Sequence, residues 1–169
     1  MRLRDNPTIE VSIRLPCSTE RAWELVTDIE LPTRADGELQ KAHWLDGADG
    51  VAIGARFRGY NRNPQIGEWH TEPEVSEVED GRRWVWRVGP AEAPVTLWGF
   101  EVDADGDGTV VRQWVKIGSG TSPLSDLIAQ HPDDEGTILA RRMAAWRAGM
   151  SANMALLEEL TAEGATDAR

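Results

Sequence analysis

A single cysteine, Cys17, stands in the whole sequence, so no disulfide can form within the chain and the core alone must hold the fold. That usage suits a reducing compartment. No apolar run approaches the roughly 18 residues that a membrane span needs. Met1-Arg2-Leu3-Arg4 gives way to Asp5-Asn6-Pro7 where a secretory signal would place its apolar segment. The expectation is a cytoplasmic protein with no membrane insertion. Histidine is scarce: His43, His70 and His131 are the only three, and none has partners at a zinc-ligand spacing. Lysine is confined to Lys41 and Lys116. Positive charge is short altogether, with 18 Lys and Arg against 29 Asp and Glu and a net charge of −11. Such a field repels phosphate backbones and anionic lipid surfaces, which argues against a nucleic-acid partner. Much of the excess acid lies in Asp133-Asp134-Glu135, in residues 158–167 and in residues 72–80, each read as a solvated face.

What the chain has in plenty is tryptophan, eight residues against two Phe and one Tyr. Indole is a large apolar body with one N–H donor, useful in cores and in ligand cavities alike. The length of 169 residues suits one domain, 1–169 with a core over about 8–163. A chain of this size buries roughly 70% of its unfolded surface and needs no metal to fold.

Thr8–Leu15 alternates, with Ile9, Val11, Ile13 and Leu15 on one face, and reads as a half-buried strand ended by Pro16. Ser18 is a good N-cap for a short helix over 19–29, and a second short helix or turn is expected before Gly37. The period then switches to two. Strands are expected over 38–45, 55–61, 66–79, 82–88, 95–103 and 109–117, seven in all with the first, joined as an antiparallel meander. Asp46-Gly47, Asn63-Pro64, Asp80-Gly81 and Asp105-Gly106-Asp107-Gly108 supply the turns. Pro73 predicts a bulge or bend inside the 66–79 strand. Ser122-Pro123 opens a short helix to about His131. A long helix over 134–163 follows, roughly 45 Å, with Leu139, Met143, Trp146, Met150, Met154 and Leu157 as its apolar stripe. The last five or six residues are expected to fray.

This order of elements resembles the START-like (SRPBCC) superfamily, which includes polyketide cyclases, aromatases, lipid-transfer domains and plant pathogenesis-related ligand carriers. Ser18-Thr19-Glu20-Arg21-Ala22-Trp23-Glu24-Leu25-Val26-Thr27-Asp28 is similar to that family's first helix, and Gly54-Ala55-Arg56-Phe57-Arg58-Gly59 to its third strand. Pro73-Glu74-Val75 through Gly81-Arg82-Arg83-Trp84 resembles its fourth-to-fifth strand hairpin, and Gly108-Thr109-Val110-Val111 the start of its last strand. Arg147-Ala148-Gly149-Met150 through Leu157 is similar to the terminal helix of its bacterial members. The resemblance implies an α+β helix-grip fold: a seven-stranded curved antiparallel sheet around a long C-terminal helix, with two short helices.

In that fold the concave face of the sheet and the terminal helix enclose a cavity. Strand parity turns Phe57, Trp69, Trp84, Trp86, Trp98, Phe100 and Gln113 inward, facing Met143, Trp146, Met150, Asn153 and Met154 of the helix. Each is a core residue on its own. As a set, indoles facing thioethers pack irregularly and adapt to a guest. Gln113 and Asn153 break the apolar pattern, and a buried amide must find partners in protein, water or ligand. Glu101, Arg87 and His70 fall on the outer face by parity, and so does Trp114, which leaves room for a homodimer through that face. Gly149 sits in mid-helix, where a close approach or a slight bend would account for it. Cys17 at a helix start is placed for a lowered pKa but lacks a histidine partner. Asp103-Ala104-Asp105-Gly106-Asp107-Gly108 begins like a calcium loop, but the position that needs glutamate is Trp114. No metal site, no cofactor and no catalytic residue is assigned.

The expected function is to hold a small, mostly apolar molecule of aromatic, polyketide-like or lipid-like character in the cavity. The alternative is a cyclase or aromatase acting on a poly-β-carbonyl chain, with Gln113 and Asn153, and after them Glu101 or an Arg such as Arg87, polarising carbonyls. A third reading is an interaction module whose tryptophans fill the core completely.

Overall fold

The computed structural model describes residues 1–166 and their burial to residue 162. Strand β1 (Thr8–Leu15) buries Ile9 and Leu15 and half-buries Val11 and Ile13, as its alternation requires. Helix α1 (Thr19–Val26) starts where the Ser18 hydroxyl accepts the Arg21 N–H at 3.2 Å, and it buries Ala22, Leu25 and Val26. It stops three residues short of the expected end. The Thr27 hydroxyl donates back to the Trp23 carbonyl at 2.7 Å, and an Asp28 carboxylate oxygen accepts the Glu30 N–H at 2.9 Å. Those local bonds turn the chain into a 3-10 turn, Leu31–Arg34, in place of a further helical turn.

Seven more strands follow: β2 (Leu39–Trp44), β3 (Phe57–Asn63), β4 (Gly67–Thr71), β5 (Glu74–Glu79), β6 (Arg83–Val88), β7 (Thr96–Asp105) and β8 (Gly108–Ile117). They form an antiparallel five-stranded sheet in the order β1-β8-β7-β6-β5 and a three-stranded one in the order β2-β3-β4. The chain therefore has eight strands where the sequence predicts seven. The continuous 66–79 strand divides at Glu72-Pro73, because proline has no N–H to give to a ladder. Pro73 instead accepts the Phe57 N–H at 3.2 Å, and Val75 exchanges bonds of 2.8 Å with Gly54 and Ala55. An Arg56–Glu74 bridge completes this joint between the two sheets. A bulge between Val75 and Glu77 turns β5 further.

Helix α2 (Pro123–Gln130) is capped by Ser122, whose hydroxyl accepts the Ser125 N–H while the Ser125 hydroxyl accepts the Ser122 N–H. Helix α3 (Glu135–Thr166) then runs along β1. Its first residue fastens the start of the chain, since Glu135 accepts the Leu3 N–H at 2.7 Å and pairs with Arg2 at 2.8 Å. Leu139, Met150, Asn153, Met154 and Leu157 are buried along the expected stripe. Midway, the loop at Gly37 passes close, so that a Cβ on Gly149 would stand 3.9 Å from the Gly37 Cα. The result is an α+β helix-grip fold. The expected fraying falls partly on 167–169, which lie outside the described residues.

Candidate ligand-binding site

Between the sheets and α3 runs a row of aromatic rings fixed by strand register. Trp84 pairs across the ladder with Phe100, and Trp86 with Trp98. Trp84 and Trp86, two residues apart on one face, stack with centroids 4.4 Å apart. Trp86 lies nearly parallel to Trp98 at 6.3 Å, and Trp98 meets Trp146 of α3 edge-on at 5.5 Å. Phe57 closes the flank, 6.5 Å from Trp84 and 6.3 Å from Trp86. The deep end is fully buried, with Trp84 donating its indole N–H to the Val26 carbonyl at 3.0 Å. Trp86, Trp98, Met143 and Trp146 are only half-buried. Met150 and Met154 are buried beside them.

Gln113 lies next to Phe100 in the ladder and is 3% exposed. Asn153 of α3 is 6% exposed and donates its amide N–H to the Gln113 side-chain oxygen at 3.0 Å. No other described residue bonds either amide, and the unused donors and acceptor are not sealed off, since the one sealed and unpartnered side-chain polar atom among the described residues is Arg83 Nε. Of the twelve residues expected at the site, Phe57, Trp84, Trp86, Phe100 and Met154 share one apolar cluster and Trp98, Met143, Trp146 and Met150 a second, joined through Trp86 and Trp98, with the Gln113–Asn153 pair beside Phe100.

Trp69 is the twelfth, and it stands apart. It is half-buried on β4, and the Arg142 guanidinium sits between its ring, at 5.7 Å, and that of Trp146, at 4.6 Å. Arg142 also grips Glu38 in a two-pronged pair, at 2.5 and 2.9 Å, while Asn63 donates to the same carboxylate at 2.7 Å. Sequence reasoning missed Arg142, Glu38 and Trp44, whose ring meets Phe57 edge-on at 5.5 Å. Arg142 lies four residues before Trp146, a spacing that places the two side by side on a helix and was the available signal.

The outer face carries charge. Glu101 takes Arg83 at 2.9 Å and Arg112 at 3.1 Å, Arg112 also reaches Asp103, and Arg87 pairs with Glu74 at 2.9 Å. Trp114 lies against Gly99 beneath the Arg83 guanidinium and donates to Glu101 at 3.2 Å. His70 is exposed beside Tyr60, and His131 is exposed after α2. Burial pushes the Cys17 thiol up, against the weaker pull of Arg21, which corrects the expectation of a lowered value. Among the described residues no group of three or more His, Cys, Asp and Glu is placed to hold a metal.

Two surface hollows flank this interior. One, of about 370 Å³, is lined by Tyr60, Arg62, Trp69 and His70 among others. The other, of about 420 Å³, lies between Thr27, Ile29, Ala42 and Trp44. Neither is lined by the rings of the aromatic row.

Fold and interior together define a helix-grip protein of the START-like, SRPBCC type. Residues 6–157 match the family described as polyketide cyclase / dehydrase and lipid transport, and the chain belongs to it. A polyketide-cyclase-like protein of Corynebacterium glutamicum shares the fold at a TM-score of 0.63 and 24% identity, over 96% of this chain and 94% of that one. A protein of Nitrosomonas europaea does so at 0.65 and 16% identity, over 94% and 96%. The di-domain ARO/CYC StfQ of the steffimycin biosynthetic pathway matches at 0.67 and 14%, over 94% of this chain and 52% of that larger one. No curated protein matches the sequence. No helix of the described residues is long and apolar enough to cross a membrane.

Proposed function

We propose that this protein holds a small, mostly apolar molecule between its sheets and α3, with the flat faces of Trp86, Trp98 and Trp146 against the guest. The observation that carries the reading is the Gln113–Asn153 pair. A core evolved only for packing gains nothing from two buried amides whose hydrogen bonds are half used. A guest with a carbonyl or hydroxyl would use the spare donors and acceptor. The family description, which joins cyclases and lipid transport, supports the same class of guest.

The rings contact one another along the row, so a guest would take the place of ring-to-ring contacts. Met143, Met150 and Met154 give that rearrangement its freedom, since an unbranched thioether repacks at low cost. Native mass spectrometry of the freshly purified protein, set against its denatured mass, tests the reading. A bound mass of a few hundred daltons is expected. A bare protein whose thermal melt also fails to shift with any of a panel of aromatic and lipid-like compounds would leave a filled core as the better account.

A cyclase-type reaction is the second reading, favoured by the spare Gln113 N–H groups, which could polarise a carbonyl of a poly-β-carbonyl chain. Gln113→Leu would then lower turnover of a model polyketone more than it weakens binding.

A further inference from the structure

The aromatic row ends at the surface in a cation. Elsewhere among the described residues the cations seated on rings lie on the outer faces, Lys41 on Tyr60 and Arg83 on Trp114. Arg142 alone joins the interior row, stacked on Trp146. It stands where β4 faces α3, a seam closed by side chains and by no backbone ladder. There it already holds a carboxylate by both oxygens, that of Glu38, with side-chain exposures of only 16% and 19%. Glu38 precedes β2 and keeps a separate hold through Asn63.

We infer that Arg142 is the recognition group for one end of the guest, and that the guest carries a carboxylate. This rests on the ligand-holding reading above. The argument is one of exchange. An incoming carboxylate takes over the guanidinium fork while Glu38 turns aside on its Asn63 hydrogen bond, so the half-buried cation is never left without a counter-charge. The apolar body then extends from Trp146 along Trp98 and Trp86. A neutral guest gains none of this, because the Arg142–Glu38 pair stays shut.

Calorimetric titration with 2-naphthoate and with its methyl ester tests the inference. The wild-type protein is expected to bind the acid about tenfold more tightly than the ester, the effect of one charge-assisted contact. Arg142→Gln should erase that preference, and Glu38→Gln should strengthen binding of the acid alone. Equal binding of acid and ester, or a preference that survives Arg142→Gln, would overturn the inference and leave the ligand-holding reading standing. Binding of neither would count against both. If Arg142→Gln fails to fold, Glu38→Gln decides: no gain for the acid rejects the role of Arg142.

Discussion

Two side-chain pairs give opposite lessons at the scale of single residues. Asn153 and Gln113 are each other's only hydrogen-bond partner among the described residues, so removing one partner strands the other in the core. Gln113→Leu is expected to cost about 1–3 kcal/mol of stability. Gln113→Leu with Asn153→Leu should recover most of that loss, because neither amide is then left unmet, while binding of any carbonyl guest is lost. Urea unfolding of Gln113→Leu, Asn153→Leu and the double variant measures the first effect, and a double loss equal to the sum of the singles would show that the two do not act as a pair. On the other face, Gly99 is glycine because Trp114 lies across it. A Cβ there would stand 2.5 Å from the indole. Gly99→Ala should therefore displace the ring from beneath Arg83 and lower the unfolding free energy by about 1–3 kcal/mol. An unchanged midpoint would mean that the indole shifts freely. Gln113 and Asn153 were legible in the sequence because polar residues stood out in an apolar alternation. Arg142 was not. A long charged side chain beside a helix stripe reads as solvated, and only the fold brings Trp69 and Glu38 to it.

Strands and helices were the most legible elements, since alternation and breakers mark them directly. Six of the seven expected strands exist as single strands, the seventh, 66–79, being two, and Ser18 and Ser122 cap the helices they were expected to cap. The error at Pro73 had a physical source. Alternation continues across the proline, so period alone cannot tell a bend within one strand from a passage between two sheets. Only the bonds from Phe57, Gly54 and Ala55 to the far side decide it. Helix α3 offers a test at this scale. Gly149 was expected to mark a close approach or a slight bend, and the Gly37 loop does pass there, but at a separation that leaves room for a methyl group. Gly149→Ala should consequently raise stability by up to about 1 kcal/mol through helix propensity. A lower melting temperature would mean that loop and helix are in tighter contact than 3.9 Å implies.

For the molecule as a whole, charge sets the response to pH. Glu72, Asp107 and Glu135 are held below the usual carboxylate range, first by hydrogen bonds from Arg58, Arg14 and Arg2 respectively. A carboxylate depressed in the folded state stabilises it above the unfolded pKa, and that contribution fades as pH falls through the folded value. The urea midpoint should accordingly be lower at about pH 3 than at about pH 5, with the difference reduced in high salt because these pairs are exposed. A midpoint that rises instead would show that relief of the net charge of −11 outweighs the pairs. The division at Pro73 has a consequence at this scale too. The three-stranded panel is joined to the five-stranded one through the short run of bonds around Arg56 and Glu74, and to α3 through the side chains of Glu38, Arg142 and Trp69. Swinging that panel about its joint would widen the interior without breaking a rung of either ladder. What resists such a swing is side-chain packing, chiefly Phe57 and Ala42 seated in the cluster of Trp84 and Phe100, so that apolar contact fixes the angle between two otherwise separate ladders.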